Sequence, residues 1–412
     1  MTRSQFYCLL ICCLMFCGCP EKPQPGSQAP GESGTTEVPQ VQPDDPVAVE
    51  ALEKLGVHLK KNEQGQVTSA DCFEANIEDK DLIHFEKLPA LTTLSLENGK
   101  ITDAGMETVA KLKQVTSLRL QKCSQLTIEG LKRVEALQDL ERLYILYTYT
   151  TNECLEPISH LTKLKVLDLR GTKVTDAGVV HLAGMTSLVD LKFRSDAITD
   201  AALEDVGKLT NLRSLSLEDC GIRNAGMPAL ANLTELRSLN LMRTFVGDKG
   251  LEACSKMTKL EYVNLRDTAF GGPGLDYIAG SAGTLKELDL GEILISSDGV
   301  EHVAQFTNLE ILSLWNGTFE DAAFAKLAAL TKLKDLDLEG CNQYMTDEAM
   351  QTVAQFKDLE KLKLKQTLIS DTGLEYLAGL KNLKELSLEQ AQTSPSGVKK
   401  FQEAHPECKI KQ

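Results

Sequence analysis

A pair of apolar residues separated by one residue, usually polar, recurs along most of the chain. The clearest pair is Leu215-Ser216-Leu217, and equivalent residues follow one another at intervals of 24 to 26 positions. The first residues of these thirteen pairs are Leu94, Leu118, Leu143, Leu167, Leu191, Leu215, Leu239, Val263, Leu288, Leu312, Leu336, Leu362 and Leu386. Because strand side chains alternate between two faces, each pair predicts a short strand with both apolar residues in the core and the middle residue outside.

The second half of each unit has apolar residues at helical spacing. In the unit from Leu164, Val179, Leu182 and Met185 are three residues apart and share one helical face. Thr175-Asp176 precedes them, where either side chain can accept a hydrogen bond from a first-turn amide and the Asp suits the helix dipole. Each unit is therefore predicted to contain one short strand and a helix of roughly two to three turns.

Two further columns predict how the units stack. One column carries Thr172 and Thr244, whose hydroxyls are expected to bond to the turning backbone of adjacent units. Ile293 and Ala391 occupy the same column without a hydroxyl, which predicts a weaker ladder there. The other column holds small residues such as Gly178, and it predicts close approach of the helix to a strand or a neighbouring helix.

The stretch L-x-x-L-x-L-x-x-T-x-V in the unit from Leu164 resembles the leucine-rich repeat pattern. The resemblance covers roughly residues 67 to 410, and it is to the 24-residue repeats of bacterial exported proteins and to ribonuclease-inhibitor-like solenoids. It implies an α/β leucine-rich repeat solenoid, a horseshoe or arc with a parallel concave sheet and short convex helices. It also implies binding rather than catalysis, since such relatives mostly bind proteins or surface ligands. No residue matches a transferable catalytic motif.

The segment before the repeats predicts export. Arg3 precedes an apolar run from Phe6 to Phe16, which is too short to span a bilayer and is typical of a signal peptide over residues 1–19. Its end, Gly18-Cys19, resembles a bacterial lipobox, which implies lipidation of Cys19 and a membrane anchor. Ordinary signal cleavage, with Cys19 as one more cysteine, is the alternative.

Three further segments follow the predicted signal. Residues 20–46 are rich in proline and lack apolar periodicity, which predicts a disordered tether. Residues 47–66 predict a helix and a hairpin that cap the first repeat, as solenoids require. Residues 67–412 form the predicted repeat domain, with about thirteen clear repeats and degenerate ends.

Composition removes several classes of function. The net charge of -15 argues against a general duplex nucleic-acid binder and against attachment to anionic lipid by charge alone. The sequence contains no P-loop, GxSxG, HExxH or CxxC motif. His84, His181 and His302 share a column but are four and five units apart, so they cannot share a metal. The cysteines after the signal are expected to be buried apolar residues rather than disulfides. We therefore predict no enzyme, no cofactor and no metal site.

The outward side of the predicted sheet is where a binding site is expected. A basic and aromatic patch should form on four adjacent strands, with Tyr147 and Tyr149 at its rim. Its members are Arg119, Arg142, Tyr144, Leu146, Arg170, Lys192 and Arg194. Trp315, the single tryptophan, is predicted to be exposed near Tyr262, Arg266 and Met242. The alternative for both places is a solvated strand face whose charges pair across strands, as Lys363 with Asp337 should do.

These observations favour a non-enzymatic binding module that is exported and lipid-anchored to a bacterial membrane, on its periplasmic or cell-surface side. The expected partner is a protein or an anionic envelope polymer that contacts the concave face. Replacing Arg170 and Arg194 by Glu is expected to remove binding without loss of stability, since neither supports the predicted core. The alternatives are a structural envelope spacer and an F-box-like substrate adaptor, for which residues 47–66 leave no room.

Overall fold

The computed structural model describes residues 42–97 and 100–412. The predicted signal peptide, Cys19 and the predicted tether up to residue 41 lie outside the described residues, as do Asn98 and Gly99. Residues Gln42–Gln412 form one compact unit. Within the described ranges, every helix is too short or too polar to traverse a bilayer.

In the part of the chain that the structure describes, sixteen strands form one sheet whose spatial order is the sequence order. β1 and β2 are antiparallel, and each later neighbour is parallel. The strands are β1 His58–Lys61, β2 Val67–Asp71, β3 Thr93–Glu97, β4 Ser117–Gln121, β5 Arg142–Leu146, β6 Val166–Asp168, β7 Asp190–Arg194, β8 Ser214–Glu218, β9 Ser238–Asn240, β10 Tyr262–Asn264, β11 Glu287–Asp289, β12 Ile311–Ser313, β13 Asp335–Asp337, β14 Lys361–Lys363, β15 Glu385–Ser387 and β16 Lys409–Lys411. Leu94 pairs with Leu118 and Leu118 with Leu143, so the apolar residues form continuous rows across the sheet as predicted.

The helical half of each repeat is shorter and tighter than predicted. The α-helices are α1 Pro46–Lys54, α2 Asp103–Val109, α3 Ile128–Lys132, α4 Leu155–Ser159, α5 Asp176–Val179, α6 Asp200–Val206, α7 Ser297–Glu301, α8 Asp321–Phe324, α9 Ala349–Val353, α10 Asp371–Leu377 and α11 Pro395–Ala404. The 3₁₀ helices are Asp79–Lys87, Arg133–Ala136, Asn152–Cys154, Val180–Leu182, Met227–Leu230, Asp248–Cys254, Pro273–Ser281, His302–Gln305 and Ala325–Ala329. The 3₁₀ form has a larger rise per residue than the α-helix, so it covers the same distance with fewer residues.

One hydrophobic core runs from Leu52 to Cys408 between the sheet and the helices. Val179, Leu182 and Met185 are buried in it, as their spacing predicted. The seven cysteines of the described chain are also buried and free, which confirms their interpretation as apolar core residues. Burial raises the pKa of Cys254 to about 12, so this thiol stays protonated and unreactive at neutral pH.

The N-terminal cap begins earlier than residue 47. α1 starts at Pro46, and the Asp45 side chain accepts a hydrogen bond from the Val47 amide at 2.9 Å. The Asp44 carboxylate accepts the Val67 amide at 2.6 Å, which ties this segment to β2. Residues 42–46, assigned to the tether from their prolines, therefore belong to the folded unit, because two aspartates in that stretch bond to its backbone.

The turn after most strands places one residue in the left-handed region. Non-glycine residues with positive φ occupy this position in most repeats: Lys122, Tyr147, Asp219, Arg243, Asp267, Glu292, Asn316, Gln366 and Gln390, with Gly171 and Gly340 in two others. This conformation lets the amide donate to the next repeat, as Lys122 does to the Leu146 carbonyl at 2.9 Å. The strain of about 1 kcal/mol or more per residue is offset by an extra interstrand hydrogen bond.

Aspartates at the helix starts connect neighbouring repeats. Nine Asp or Asn side chains accept the backbone amide of a residue 23 to 25 positions later at 2.7 to 2.9 Å. The acceptors are Asp79, Asp103, Asn152, Asp176, Asp200, Asn224, Asp321, Asp347 and Asp371. The Thr side chain caps the helix at Thr102, as predicted, but Thr175 makes no such bond, and the Asp reaches across the repeat boundary. We call this row the aspartate ladder.

The small-residue column makes room for the aspartate ladder. A Cβ added to Gly130 would lie 2.2 Å from an Asp103 carboxylate oxygen, and one added to Gly373 would lie 2.5 Å from Asp347. Ala202 is buried in the same column, so a single methyl is accommodated there. The predicted close approach is confirmed, and its partner is the preceding aspartate.

The threonine column does not join adjacent repeats as predicted. Thr172, Thr244 and Thr367 each donate to a carbonyl three residues earlier in their own repeat, at 2.7 to 2.8 Å. Each hydroxyl therefore stabilises the turn within its own repeat, and its acceptor is the carbonyl three residues earlier. Two cysteines of this column contact the preceding repeat instead: Cys123 Sγ lies 3.5 Å from the Leu96 carbonyl oxygen, and Cys341 Sγ lies 3.2 Å from the Leu314 carbonyl oxygen.

Candidate interaction surface

The side of the sheet that points away from the core is called the open face. The middle residues of the strands form rows on it, and Arg119, Tyr144 and Asp168 are successive members of one row. This confirms the predicted strand faces. The open face is less solvated than predicted, because Asp168 is 1% exposed and Ser216 is 7% exposed.

The structure brings the predicted basic and aromatic patch together on β4 to β7. The Arg119 guanidinium carbon lies 4.9 Å from the Tyr144 ring centroid, a cation–π contact. Burial raises the pKa of the Tyr144 hydroxyl. Tyr147 and Tyr149 are 51% and 64% exposed at the rim, as predicted.

Most cations of this patch are neutralised by carboxylates beside them. Arg170 contacts Asp168 through two nitrogens, with Nη2 at 2.7 Å and Nε at 3.0 Å. Arg194 Nε lies 2.6 Å from a carboxylate oxygen of Asp219, and Arg194 also pairs with Glu218 at 3.6 Å.

Two more cations of the patch have acidic neighbours. Lys192 pairs with Asp190 at 3.2 Å, and Arg142 lies 3.8 Å from Glu141. Arg119 forms no ion pair among the described residues, although its Nη1 donates to Gln121. The patch therefore has the paired charges that were the alternative from sequence, with the acids on the same repeat for Arg142, Arg170 and Lys192 and on the next repeat for Arg194.

Leu146 is buried rather than displayed on the open face. It is 4% exposed, and its register partner on β4 is Gln121, a side chain long enough to cover an apolar neighbour. It contributes packing beneath the patch instead of contact area.

Trp315 lies beside Arg266 as predicted, but it is half-buried rather than exposed. The Arg266 guanidinium carbon is 4.4 Å from its ring centroid. Gly291 lies between the two in the row, and a Cβ added to it would lie 3.4 Å from the Trp315 Cβ. Arg266 Nε also donates to Glu292 at 2.9 Å, which holds the guanidinium over the ring.

The acidic residues near Trp315 divide into paired and unpaired groups. Lys363 pairs with Asp337 at 2.7 Å and Lys365 pairs with Glu339 at 3.0 Å, which confirms the predicted pairing across β13 and β14. Three other acids on the same part of the open face form no ion pair within the described ranges: Glu287, Asp289 and Asp335.

Desolvation raises the pKa of all three unpaired carboxyl groups. The pKa of Glu287 rises to about 7, with the charges of Asp289 and Asp335 as smaller causes. Burial likewise raises the pKa of Asp289 and of Asp335. The pairing of Asp335 with Lys361, expected from sequence together with those of Asp337 and Glu339, is not among the ion pairs of the described residues. The isolation of Glu287 and Asp289 was not predicted; the available signal was that both flank a buried Leu288 with no Lys or Arg at the matching positions of β12.

The predicted histidine column lies on the helical side. His302 Nδ1 is 2.9 Å from Asp276, and this contact lowers the pKa of the carboxyl group. Among the residues that the structure describes, no group of three or more His, Cys, Asp or Glu side chains could hold a metal ion.

Comparison with known proteins supports the repeat assignment. Residues 87–110, 160–183, 208–231 and 256–279 match the family model described as Leucine Rich repeat. No curated protein matches the chain. An internalin (inlF) of Listeria monocytogenes is 23% identical with a TM-score of 0.59, over 83% of this chain and 94% of that one.

Two more solved structures share the fold. A leucine-rich repeat protein of Leptospira interrogans is 18% identical with a TM-score of 0.51, over 80% of this chain and 92% of that one. A TLR13 chain, solved in a TLR13–ssRNA13 complex, is 23% identical with a TM-score of 0.55; the match covers 74% of this chain and 44% of that one. The four matched segments show that the chain contains leucine-rich repeats, and its fold is an α/β solenoid with a parallel series of strands.

Proposed function

We propose that this protein is a non-enzymatic interaction module that binds a protein partner through its open face. The observation that carries the proposal is the concentration of Arg, Tyr and Trp side chains there, in a chain that is only 5% aromatic. These residue types dominate the centres of protein interfaces. Tyr149 is accessible, while Tyr144 and Trp315 are each held by an arginine before any partner arrives.

A protein partner is better supported than an anionic polymer. A polyanion binds through several uncompensated cations, and four of the five cations of the patch face a carboxylate within 4.0 Å. Ion pairs of this kind favour a partner with both polar and apolar groups. The ion-paired face also gives no support to RNA as the ligand.

Affinity capture from an envelope fraction tests this proposal. The open-face variant replaces Arg119 with Gln and Tyr149 with Ala, because neither side chain forms an ion pair or supports the core. The matched control replaces Arg133 with Gln on the helical side, where it pairs with exposed Glu107. We expect the open-face variant to lose a specific partner that the control retains. Equal capture by both variants would exclude this face and favour the spacer alternative.

We further propose that the module is exported and lipid-anchored through Cys19 on the periplasmic or cell-surface side of a bacterial membrane. The support is the short apolar run with Gly18-Cys19 at its end. Mass spectrometry of the mature protein should find acyl chains on Cys19, and Cys19→Ala should release the protein from membranes. An unmodified N-terminus, or a Cys19→Ala protein that stays membrane-bound, would refute the anchor.

A further inference from the structure

The open face of β9 to β12 carries a second surface, which is apolar and acidic. Its apolar side chains belong to Met242, Tyr262, Ile311 and Trp315, and all four are half-buried. Glu287 and Asp289 lie among them, and these six residues are called the Trp315 surface. Trp, Tyr and Met are enriched at the centres of protein interfaces, where a ring or thioether fills a partner's contact area.

Strand register and hydrogen bonds hold this surface in place. Tyr262, Glu287 and Ile311 are successive members of one row across β10, β11 and β12. The Asn264 amide donates to the Tyr262 hydroxyl at 3.1 Å and lies 3.8 Å from the Met242 sulfur. Side chains that are ordered before binding lose less conformational entropy when a partner arrives.

The Trp315 surface also has unused hydrogen-bonding and charge capacity. The Trp315 indole N–H has no acceptor among the described residues, although the ring is partly accessible. The nearest cations are already engaged, since Arg266 is held by Glu292 and Lys363 by Asp337. Neither Glu287 nor Asp289 forms an ion pair within the described ranges, although Asp289 accepts the Gly291 amide and Arg266 lies close enough to stabilise its charge.

We propose that the Trp315 surface binds a basic peptide segment of a protein partner, through lysine or arginine side chains. Their apolar stems would lie on Trp315 and Ile311, and their charges would meet Glu287 and Asp289. Charge complementarity selects this occupant, because an acidic or neutral segment would leave both carboxylates desolvated and unpaired. The inference rests on the proposed function of the open face as a protein-binding surface.

The titration of Glu287 supports this assignment. A nearby cation stabilises the ionised carboxylate, so binding should release its proton and become tighter as the pH rises through about 7. The titratable groups facing Glu287 are Asp289 on its own strand, Tyr262 on β10 and Asp335 on β13. From β12 it meets Ile311, its register partner, which does not titrate.

Fluorescence of the full chain tests the proposal, because Trp315 is its single tryptophan. The probe is a short peptide in which lysines alternate with valines, and the matched probe carries glutamates instead of lysines. We expect the lysine probe to change Trp315 emission saturably and the glutamate probe to leave it unchanged. Glu287→Gln with Asp289→Asn should raise the Kd about tenfold or more, which equals about 1.4 kcal/mol.

Glu385→Gln is the matched control, because Glu385 occupies the equivalent row on β15 and also forms no ion pair in the described chain. This control should leave the Kd unchanged, and Glu287→Gln alone serves if the double variant does not fold by circular dichroism. Equal binding of both probes, or an unchanged Kd in the carboxylate variants, would overturn the basic-peptide assignment. The capture experiment with the Arg119 and Tyr149 variant decides the proposed function separately.

Discussion

The aspartate ladder makes a quantitative prediction at the boundary between two repeats. Asp347 accepts the Ser370 amide at 2.8 Å and the Ser370 hydroxyl at 2.5 Å. Asp347→Ala removes both bonds and leaves the amide at the start of α10 without a partner. A hydrogen bond to a charged group contributes about 1.5–3 kcal/mol, and the contact is only part-buried, so we expect a loss of about 2–4 kcal/mol. Asp347→Asn keeps one acceptor and should cost about half as much.

Urea unfolding followed by circular dichroism measures this loss. The matched control is Asp358→Ala, which removes the same charge from an exposed position of the same repeat. The solenoid is quasi-one-dimensional, so Asp347→Ala can broaden the transition by uncoupling the repeats on either side. A midpoint for Asp347→Ala equal to that of Asp358→Ala would refute the role of the aspartate ladder.

Three further predictions concern the strands of the open face. Leu217→Ala should lower the stability measured by thermal unfolding by about 2–5 kcal/mol. Ser216→Ala should lower it by about 1 kcal/mol, because Ser216 is buried and accepts one neutral hydrogen bond. Equal losses would contradict the assignment of the two residues to opposite strand faces. Arg170→Glu should destabilise the fold by about 3–5 kcal/mol, contrary to the expectation from sequence, because it leaves Asp168 buried and uncompensated. An unchanged Tm would show that this ion pair contributes nothing. Between pH 4.5 and about 7 only the folded state keeps the Glu287 proton, so the free energy of unfolding of the natural chain should fall as the pH rises through this window. Glu287→Gln does not titrate and should therefore gain up to about 3 kcal/mol relative to the natural chain. A difference that does not depend on pH would refute the raised pKa.

The repeat interval was sufficient to predict strands β3 to β15 and their faces. An apolar pair every 24 to 26 residues allows one strand register, because shifting the register by one residue would expose both apolar residues of each pair. The same argument could not predict the helix lengths. Short 3₁₀ and α segments of similar composition differ by small local energies, which the propensities of single residues do not resolve.

The contacts between repeats were predicted less well than the repeats themselves. Asp176 was interpreted as a helix-start residue, and its bonds to Thr199 became visible only when the next repeat was placed beside it. The left-handed turn was also missed, because its position is occupied by Lys, Tyr, Asp and Gln as well as by glycine. Side-chain identity alone does not reveal a conformation that is stabilised by a hydrogen bond to a neighbouring repeat.

For the candidate site, the sequence predicted where the side chains lie better than it predicted which charges are paired. Arg119 and Tyr144 meet as expected, and Tyr147 and Tyr149 are exposed. The charge balance was misjudged, because cations were grouped without the acids that share their strands. Asp168 belongs to the same strand as Arg170 and neutralises it, while Glu287 has no such partner among the described residues.

Site-specific photocrosslinking in envelope membranes tests the central claim most directly. A photoreactive amino acid is placed at Tyr149 or Ser313 on the open face, or at Glu129 or Glu375 on the helical side, in the full chain. The open-face account predicts a discrete crosslinked protein from Tyr149, Ser313 or both, and none from the helical positions. Crosslinks from Glu129 or Glu375, with none from Tyr149 or Ser313, would contradict the open-face account.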